Sequence, residues 1–364
     1  MVNKFSSLQD IYKGKKVFLT GHTGFKGSWM LKVLSMLGAN VKGFALTPEN
    51  DFDLYHLLNG DTLNDSIIAD IRNKNALAEA IDTFQPDFIF HLAAQPLVRL
   101  SYETPSETFE VNAIGTANVL DGVRKLTKQC QVILITTDKV YHNEEWLYPY
   151  RETDRLGGYD PYSASKACAE LVINSYRNSF FNLKTYSKHL KSIAVVRAGN
   201  VIGGGDWAKD RLIPDIARAL AKNETVIIRN PASVRPWQHV LEPILGYLLL
   251  GTKMVKDPIT FSDSFNFGPD FNDALPVKEM VEQSLKCWGS GAYEVIKVEC
   301  QLHEAGLLKL DINKALNHLG WTPTFNAPAA IDKTMGWYKK YLTNPDEIIA
   351  FTEQQVHEYL NPIN

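Results

Sequence analysis

The sequence predicts an α/β protein built on a parallel sheet with helices on both faces. Three observations carry this. Short apolar runs alternate with longer stretches of helical periodicity over residues 16–198. The runs are apolar throughout rather than every second residue, as strands buried on both faces are. The first run also leads straight into a glycine-rich loop, Gly21-x-x-Gly24-x-x-Gly27, followed by a helical pattern.

In chain order, residues 16–20 read as the first strand, 25–37 as a helix and 41–46 as the second strand. A third strand ends at Asp70 and Ile71, and residues 88–91, 132–135 and 193–196 read as three more. Helical patterns over 75–84, 106–126 and 161–179 lie between them. Asp160 followed by Pro161 marks a helix start, an N-cap acid before a proline at the first helical position. Beyond residue 198 the regularity fades. Residues 203–206 read as a flexible loop, and 212–221, 241–250, 277–287, 312–319 and 329–341 as helices. Residues 266–269 read as a strand end returning to the sheet, and the last twenty as a terminal helix with no role to assign.

The 364 residues are 45% apolar and 22% charged, enough for one large domain or two smaller ones around a substantial core. A net charge of −3 argues against a nucleic-acid surface or a polybasic membrane patch, so an anionic ligand needs a locally built site. The apolar run at 247–250 is far too short to cross a bilayer, and Met1 to Ser7 lack the apolar core of a signal peptide. A cytoplasmic location is expected. Cys130, Cys168, Cys287 and Cys300 form no C-x-x-C pair and read as reduced core thiols; no metal site is expected.

The loop Gly21, His22, Thr23, Gly24, Phe25, Lys26, Gly27 has the form of a dinucleotide site. Its glycines allow a tight turn and close approach of backbone to a pyrophosphate, which the positive end of the following helix attracts. This makes the doubly wound sheet Rossmann-type. Lys26 either adds charge to the phosphate site or is solvated. Leu92, Ala93 and Ala94 are small enough to let backbone approach a nicotinamide, whereas His91 reads as a packed strand-end residue. Asp70 either accepts from an adenine amino group or caps the next helix. Residues 43–48 end in neither an acid for the adenosine ribose nor an arginine for a 2′-phosphate, so these residues leave NAD and NADP open.

Tyr162 and Lys166 lie four apart on a predicted helix, so both side chains face the same way. An ammonium near a phenol favours phenolate and suits the tyrosine to general-base work on a hydroxyl-bearing carbon. Thr137, Asp138 and Lys139 follow the preceding strand.

With these motifs the chain resembles the extended short-chain dehydrogenase/reductase family over nearly its whole length. The resemblance implies a Rossmann-type NAD-binding domain at 1–198, its sheet completed by segments near 238–268. It also implies a smaller C-terminal substrate-binding domain at 199–364, NAD as cofactor, and a homodimer or higher homo-oligomer built through two helices per subunit. Asp138 and Lys139 are similar to the acid pair of the family's nucleotide-sugar 4,6-dehydratases, with lysine where glutamate is usual. His22, Lys26 and the segments 198–207 and 233–240 carry a longer match, which points to CDP-glucose as substrate.

The implied chemistry begins with Tyr162 taking the 4-hydroxyl proton while Thr137 shares the hydrogen bond and a hydride passes from C4 to NAD. The ketone acidifies C5, Asp138 protonates the departing 6-hydroxyl, and the hydride returns to C6. Lys139 acts as a neutral C5 base, stabilises the enolate as a cation while Tyr162 takes the C5 proton, or only positions Asp138. For the diphosphate, Asn200 and Arg235 are the expected contacts. Arg211 and Arg197 are further candidates, with a structural salt bridge the other reading of Arg197, and Gln95 is a further expected substrate contact. Trp207 and Trp237 either stack on the ligand or pack between domains. Open alternatives are another nucleotide-sugar dehydratase, a 4-epimerase, and, in a different class, an NAD(P)-sensing regulator without turnover.

Overall fold

A computed structural model describes residues 4–296 and 307–361; Cys300 and Met1 to Asn3 lie outside the described residues. Seven parallel strands form the central sheet: β1 Lys16–Thr20, β2 Asn40–Ala45, β3 Asp65–Ile68, β4 Phe88–His91, β5 Cys130–Ile135, β6 Lys191–Ala198 and β7 Ser264–Phe267. Their spatial order is β7-β6-β5-β4-β1-β2-β3. The order reverses between β1, which pairs Val17 with Val41 of β2, and β4, which pairs Phe88 with that same Val17. A crevice opens beyond the strand C-termini at such a switch point.

The apolar strands bury both faces. Val17, Leu19, Ile133 and Ile135 join one core with Trp29, Leu248 and Trp337. Phe18, Val132 and Leu134, the residues between them, join the other with Leu77, Val119 and Ile173. Helices Phe25–Met36 and Leu241–Lys256 supply the first face; Lys74–Phe84, Gly115–Lys125 and Pro161–Ser179 supply the second. The last of these starts as its sequence requires. Asp160 accepts from the Ser163 N–H at 2.9 Å, and Pro161 takes the first turn.

Four expectations are corrected. The third strand ends at Ile68, before Asp70. The helix expected over 106–126 is interrupted by a wide turn at Glu110–Ile114, where Asn112 reaches inward to the Gln95 N–H and to Ser165 Oγ. Residues 203–206 are not a flexible loop: all four are buried. The Gly204 carbonyl accepts from Trp29 Nε1 at 2.9 Å, and a Cβ on Gly204 would lie 2.0 Å from the Trp337 ring. The terminal helix Ile348–Leu360 does have a structural role, because Tyr359 donates to the fully buried Glu242 at 2.6 Å. No helix among the described residues is long and apolar enough to cross a membrane.

Candidate active site

A continuous cleft of about 2670 Å³ lies over the C-terminal ends of β1, β4, β5 and β6. That exceeds the roughly 300–1,000 Å³ of an ordinary one-ligand pocket, so two large ligands fit side by side. Every residue proposed for the site from sequence lines this cleft except His22 and Arg197.

At the β1 end the glycines answer to contact. Gly21 has φ +73°, and a Cβ there would lie 2.7 Å from the Ala93 N atom. A Cβ on Gly27 would lie 1.9 Å from the Gly21 carbonyl oxygen. The helix that follows has Gly24 at its N-cap and no side-chain cap, which leaves its first N–H groups facing the cleft. His22 is a correction. Its ring is buried away from the cleft, with Nε2 2.7 Å from Ser66 Oγ, and burial pushes its pKa down to about 4. Lys26 does face the cleft; burial, then Arg211 and Lys166, lower its pKa to about 7.

Asp70 also departs from one reading. Its carboxylate holds Arg72, at 2.9 Å to Nε and 2.6 Å to Nη2, while Asn73 caps the next helix. His91 is a packed strand-end residue, with Nδ1 2.7 Å from Thr20 Oγ1 and Nε2 3.1 Å from Thr116 Oγ1. Gln95 turns its amide onto its own loop, donating to the Leu97 carbonyl at 3.1 Å and to Thr108 Oγ1 at 2.9 Å.

The chemistry gathers where β5 ends. Thr137 Oγ1 donates to Asp138 Oδ1 at 2.9 Å; Lys139 Nζ lies 3.3 Å from Asp138 Oδ1 and 3.5 Å from Asn200 Oδ1. Gly199 makes room for this carboxylate, because a Cβ there would sit 3.2 Å from Asp138 Oδ2. Tyr162 is buried beside the group, and burial raises its pKa. The cations opposing that rise are Lys139 and Arg211, with a further contribution from the Thr137 hydroxyl. This corrects the expectation that the Lys166 ammonium draws the phenol's pKa down. Lys166 donates to the Ile135 carbonyl at 3.3 Å, and burial lowers its own pKa to about 8.

Arg197 is not a diphosphate contact. Its Nε donates to Glu170 Oε1 at 2.7 Å, Nη2 to Glu170 Oε2, and Nη1 to the Tyr141 hydroxyl at 2.7 Å. Arg211 is held by Asp206 at 2.9 Å yet lines the cleft, as does Arg235, whose Nη1 donates to the Val234 carbonyl at 3.2 Å. Trp207 packs edge-on against Tyr338 and Phe52. Sequence reasoning missed a cluster at the cleft rim, where Arg99 and Arg229 meet Asp210 at 3.2 and 3.5 Å. Exposed arginines far apart in sequence leave no spacing signal. No trio of potential metal ligands occurs among the described residues.

Fold and site together define a Rossmann-fold protein with a tyrosine–lysine pair and an acid–lysine pair in one cleft. A family model described as GDP-mannose 4,6 dehydratase matches residues 18–334. The chain is 46% identical to CDP-glucose 4,6-dehydratase of Salmonella typhimurium over 97% of this chain and 98% of that protein. It is 27% identical to CDP-paratose 2-epimerase of Salmonella typhi over 88% and 98%. Among solved structures, a dTDP-glucose 4,6-dehydratase of Streptomyces venezuelae with NAD bound superposes at TM-score 0.74, with 23% identity over 89% of this chain and 97% of that one. A UDP-glucose 4-epimerase of Thermotoga maritima gives TM-score 0.75, 20% identity, and coverage of 90% and 99%. The chain belongs to the GDP-mannose 4,6 dehydratase family of extended short-chain dehydrogenases/reductases.

Proposed function

We propose that the chain dehydrates CDP-glucose to CDP-4-dehydro-6-deoxyglucose, with NAD as a cofactor that is unchanged after each cycle. The observation that carries this reading is the meeting of Thr137, Asp138 and Lys139 with Tyr162 in a cleft with space for two ligands. The residues present fit NAD: Gly21 and Gly27 let the loop pack closely on Ala93 and on itself, Gly24 presents bare backbone to the cleft, the uncapped helix turn supplies N–H donors, and Ala93 and Ala94 keep the inner end open. NAD, when bound, accepts a hydride from the sugar and gives one back.

In this reading Thr137 and Tyr162 hold the 4-hydroxyl, and Tyr162 takes its proton. Lys166 supports the phenolate from one helical turn away. Asp138 delivers the proton that lets the 6-hydroxyl leave as water. Tyr162, having released its first proton to solvent, takes the proton from C5 and returns one there when hydride reaches C6, while Lys139, held between Asp138 and Asn200, stabilises the negative charge that builds on the 4-oxygen. Arg211, Arg235 and Asn200 receive the diphosphate. Residues 1–198 with β7 hold the cofactor, and most of 199–364 holds the sugar nucleotide. Ile114, Leu171 and Phe180, exposed on or beside the helices over 105–125 and 161–179, support a homodimer through that face. The cytidine base rests on the 46% identical relative.

The test is incubation with NAD and a panel of glucose nucleotides, followed by mass spectrometry. Loss of one water from CDP-glucose is the expected result. Water lost only from another nucleotide sugar corrects the base. An unchanged mass with galactose configuration indicates epimerisation, and cofactor binding with no turnover anywhere overturns the enzyme reading.

A further inference from the structure

Two successive residues at the end of β5 are tied to two residues one turn apart on the helix Pro161–Ser179. Lys166 Nζ donates to the Ile135 carbonyl at 3.3 Å, and the Thr136 hydroxyl donates to Glu170 Oε1 at 2.7 Å. Thr137 and Asp138 come next along the strand; Tyr162 comes one turn earlier on the helix. Glu170 is itself anchored, because Arg197 of β6 grips both its oxygens, and Arg197 is tied in turn to Tyr141 and to the Glu152 carbonyl at 3.0 Å. The Glu170 and Arg197 side chains are only 4% and 3% exposed, and neither lines the cleft.

A buried ion pair stabilises weakly, since desolvation offsets most of its attraction. A buried pair hydrogen-bonded at every oxygen fixes geometry instead. We propose that Glu170 is a positioning residue: anchored by Arg197, it holds the segment bearing Thr137 and Asp138 in register with the helix bearing Tyr162 and Lys166. Its charge has a second effect. The titratable groups that act on or are acted on by Lys166 are Glu170 on its own helix, Lys26 from the glycine loop and His91 from β4, and Tyr162 lies one helical turn before it. Glu170 is the charge that opposes the loss of the Lys166 proton.

The inference rests on the dehydratase reading for its kinetic arm only. Thr136→Val removes the tie to Glu170, keeps the ion pair and conserves shape. In this variant kcat for CDP-glucose dehydration falls about ten- to a hundredfold with KM nearly unchanged, a loss typical of misplaced catalytic groups. Amide exchange across residues 136–140 accelerates as well. Glu170→Gln moves the alkaline limb of the kcat profile to lower pH, because Lys166 gives up its proton more readily; Glu170→Asp restores part of that shift. A Thr136→Val protein with kcat within twofold of the parent overturns the proposal, even if Glu170→Gln fails to fold. If the parent does not dehydrate CDP-glucose, the functional reading fails by itself, and unaltered exchange in Thr136→Val then overturns the positioning role independently.

Discussion

Lys139 Nζ lies 3.3 Å from Asp138 Oδ1, so two adjacent residues place an ammonium and a carboxyl group side by side at the end of β5. The same oxygen also accepts from Thr137, which ties the oxidation half of the reaction to the elimination half. Lys139→Met removes the cation and keeps much of the side chain's bulk. C4 oxidation persists, while elimination slows by about a hundredfold, the scale of losing one charge-stabilising donor. The check is deuterium entry at C5 in heavy water; entry at the parent rate rules out a role for Lys139 in that step.

Tyr162 is the proposed base, and burial holds its pKa above the usual phenol value. Tyr162→Phe fits the same buried space and lowers the rate of C4 oxidation by about 10²–10⁴-fold. In the parent that rate rises with pH, because phenolate is the reactive form. Lys139 is the largest of the charges that pull this pKa down. Lys139→Met therefore shifts the rising limb to higher pH as well. Stopped-flow measurement of NADH formation across pH reads both effects, and an unmoved limb would separate Lys139 from Tyr162.

The buried Gly203–Asp206 segment gives a stability prediction. Trp337 closes over Gly204 and anchors its own ring by donating to Thr352 Oγ1 at 2.9 Å, so it cannot easily retreat. Gly204→Ala overpacks this contact and costs about 1–3 kcal/mol. Thermal unfolding shows it as a fall of several degrees in Tm; an unchanged Tm would mean that the Trp337 helix yields freely.

That segment shows what the sequence could and could not disclose. Strand runs and helix starts were legible because they are local: the apolar residues of β1, or Asp160 before Pro161, carry their meaning within a few positions. The cleft motifs were legible for the same reason. Three glycines in a row read locally as flexibility, whereas Trp337, which makes Gly204 necessary, lies more than a hundred residues away. Arg197 suited a diphosphate equally well until Glu170 and Tyr141 were seen to occupy its donors. His22 sat in the right loop but pointed under the sheet edge toward Ser66. The corrections at Arg197 and His22 concern where a side chain points, which long-range packing decides.

Buried histidines make stability depend on pH. Burial lowers the pKa of His22 to about 4 and those of His91 and His239 to about 3. The unfolded chain takes up these protons near pH 6.5, while the folded chain refuses them until well below pH 5. Their burial is therefore free of penalty above that range and costs stability as pH falls from about 6.5 towards 4, roughly 2 kcal/mol per histidine at pH 5. His239→Gln, at a site whose Nε2 has no hydrogen-bond partner among the described residues, removes one of these contributions. Denaturant unfolding at several pH values between 7 and 5 should show a shallower decline for the variant. Parallel declines would mean that His239 is already protonated in the fold.

The size of the cleft leads to the last prediction. It has space for both ligands at once, and Thr137, Asp138, Lys139 and Tyr162 converge within it, so oxidation, elimination and reduction need no exchange of substrate between steps. Hydrogen removed from C4 should then reach C6 of the same sugar. Glucose nucleotide deuterated at C4, mixed with material labelled elsewhere in the ring with carbon-13, should yield product carrying deuterium at C6 only on molecules without carbon-13. Extensive crossover would mean that reduced cofactor or oxidised sugar leaves between steps. Absence of deuterium from C6 in every product molecule would remove the hydride-return chemistry itself, whatever roles Asp138 and Lys139 retain.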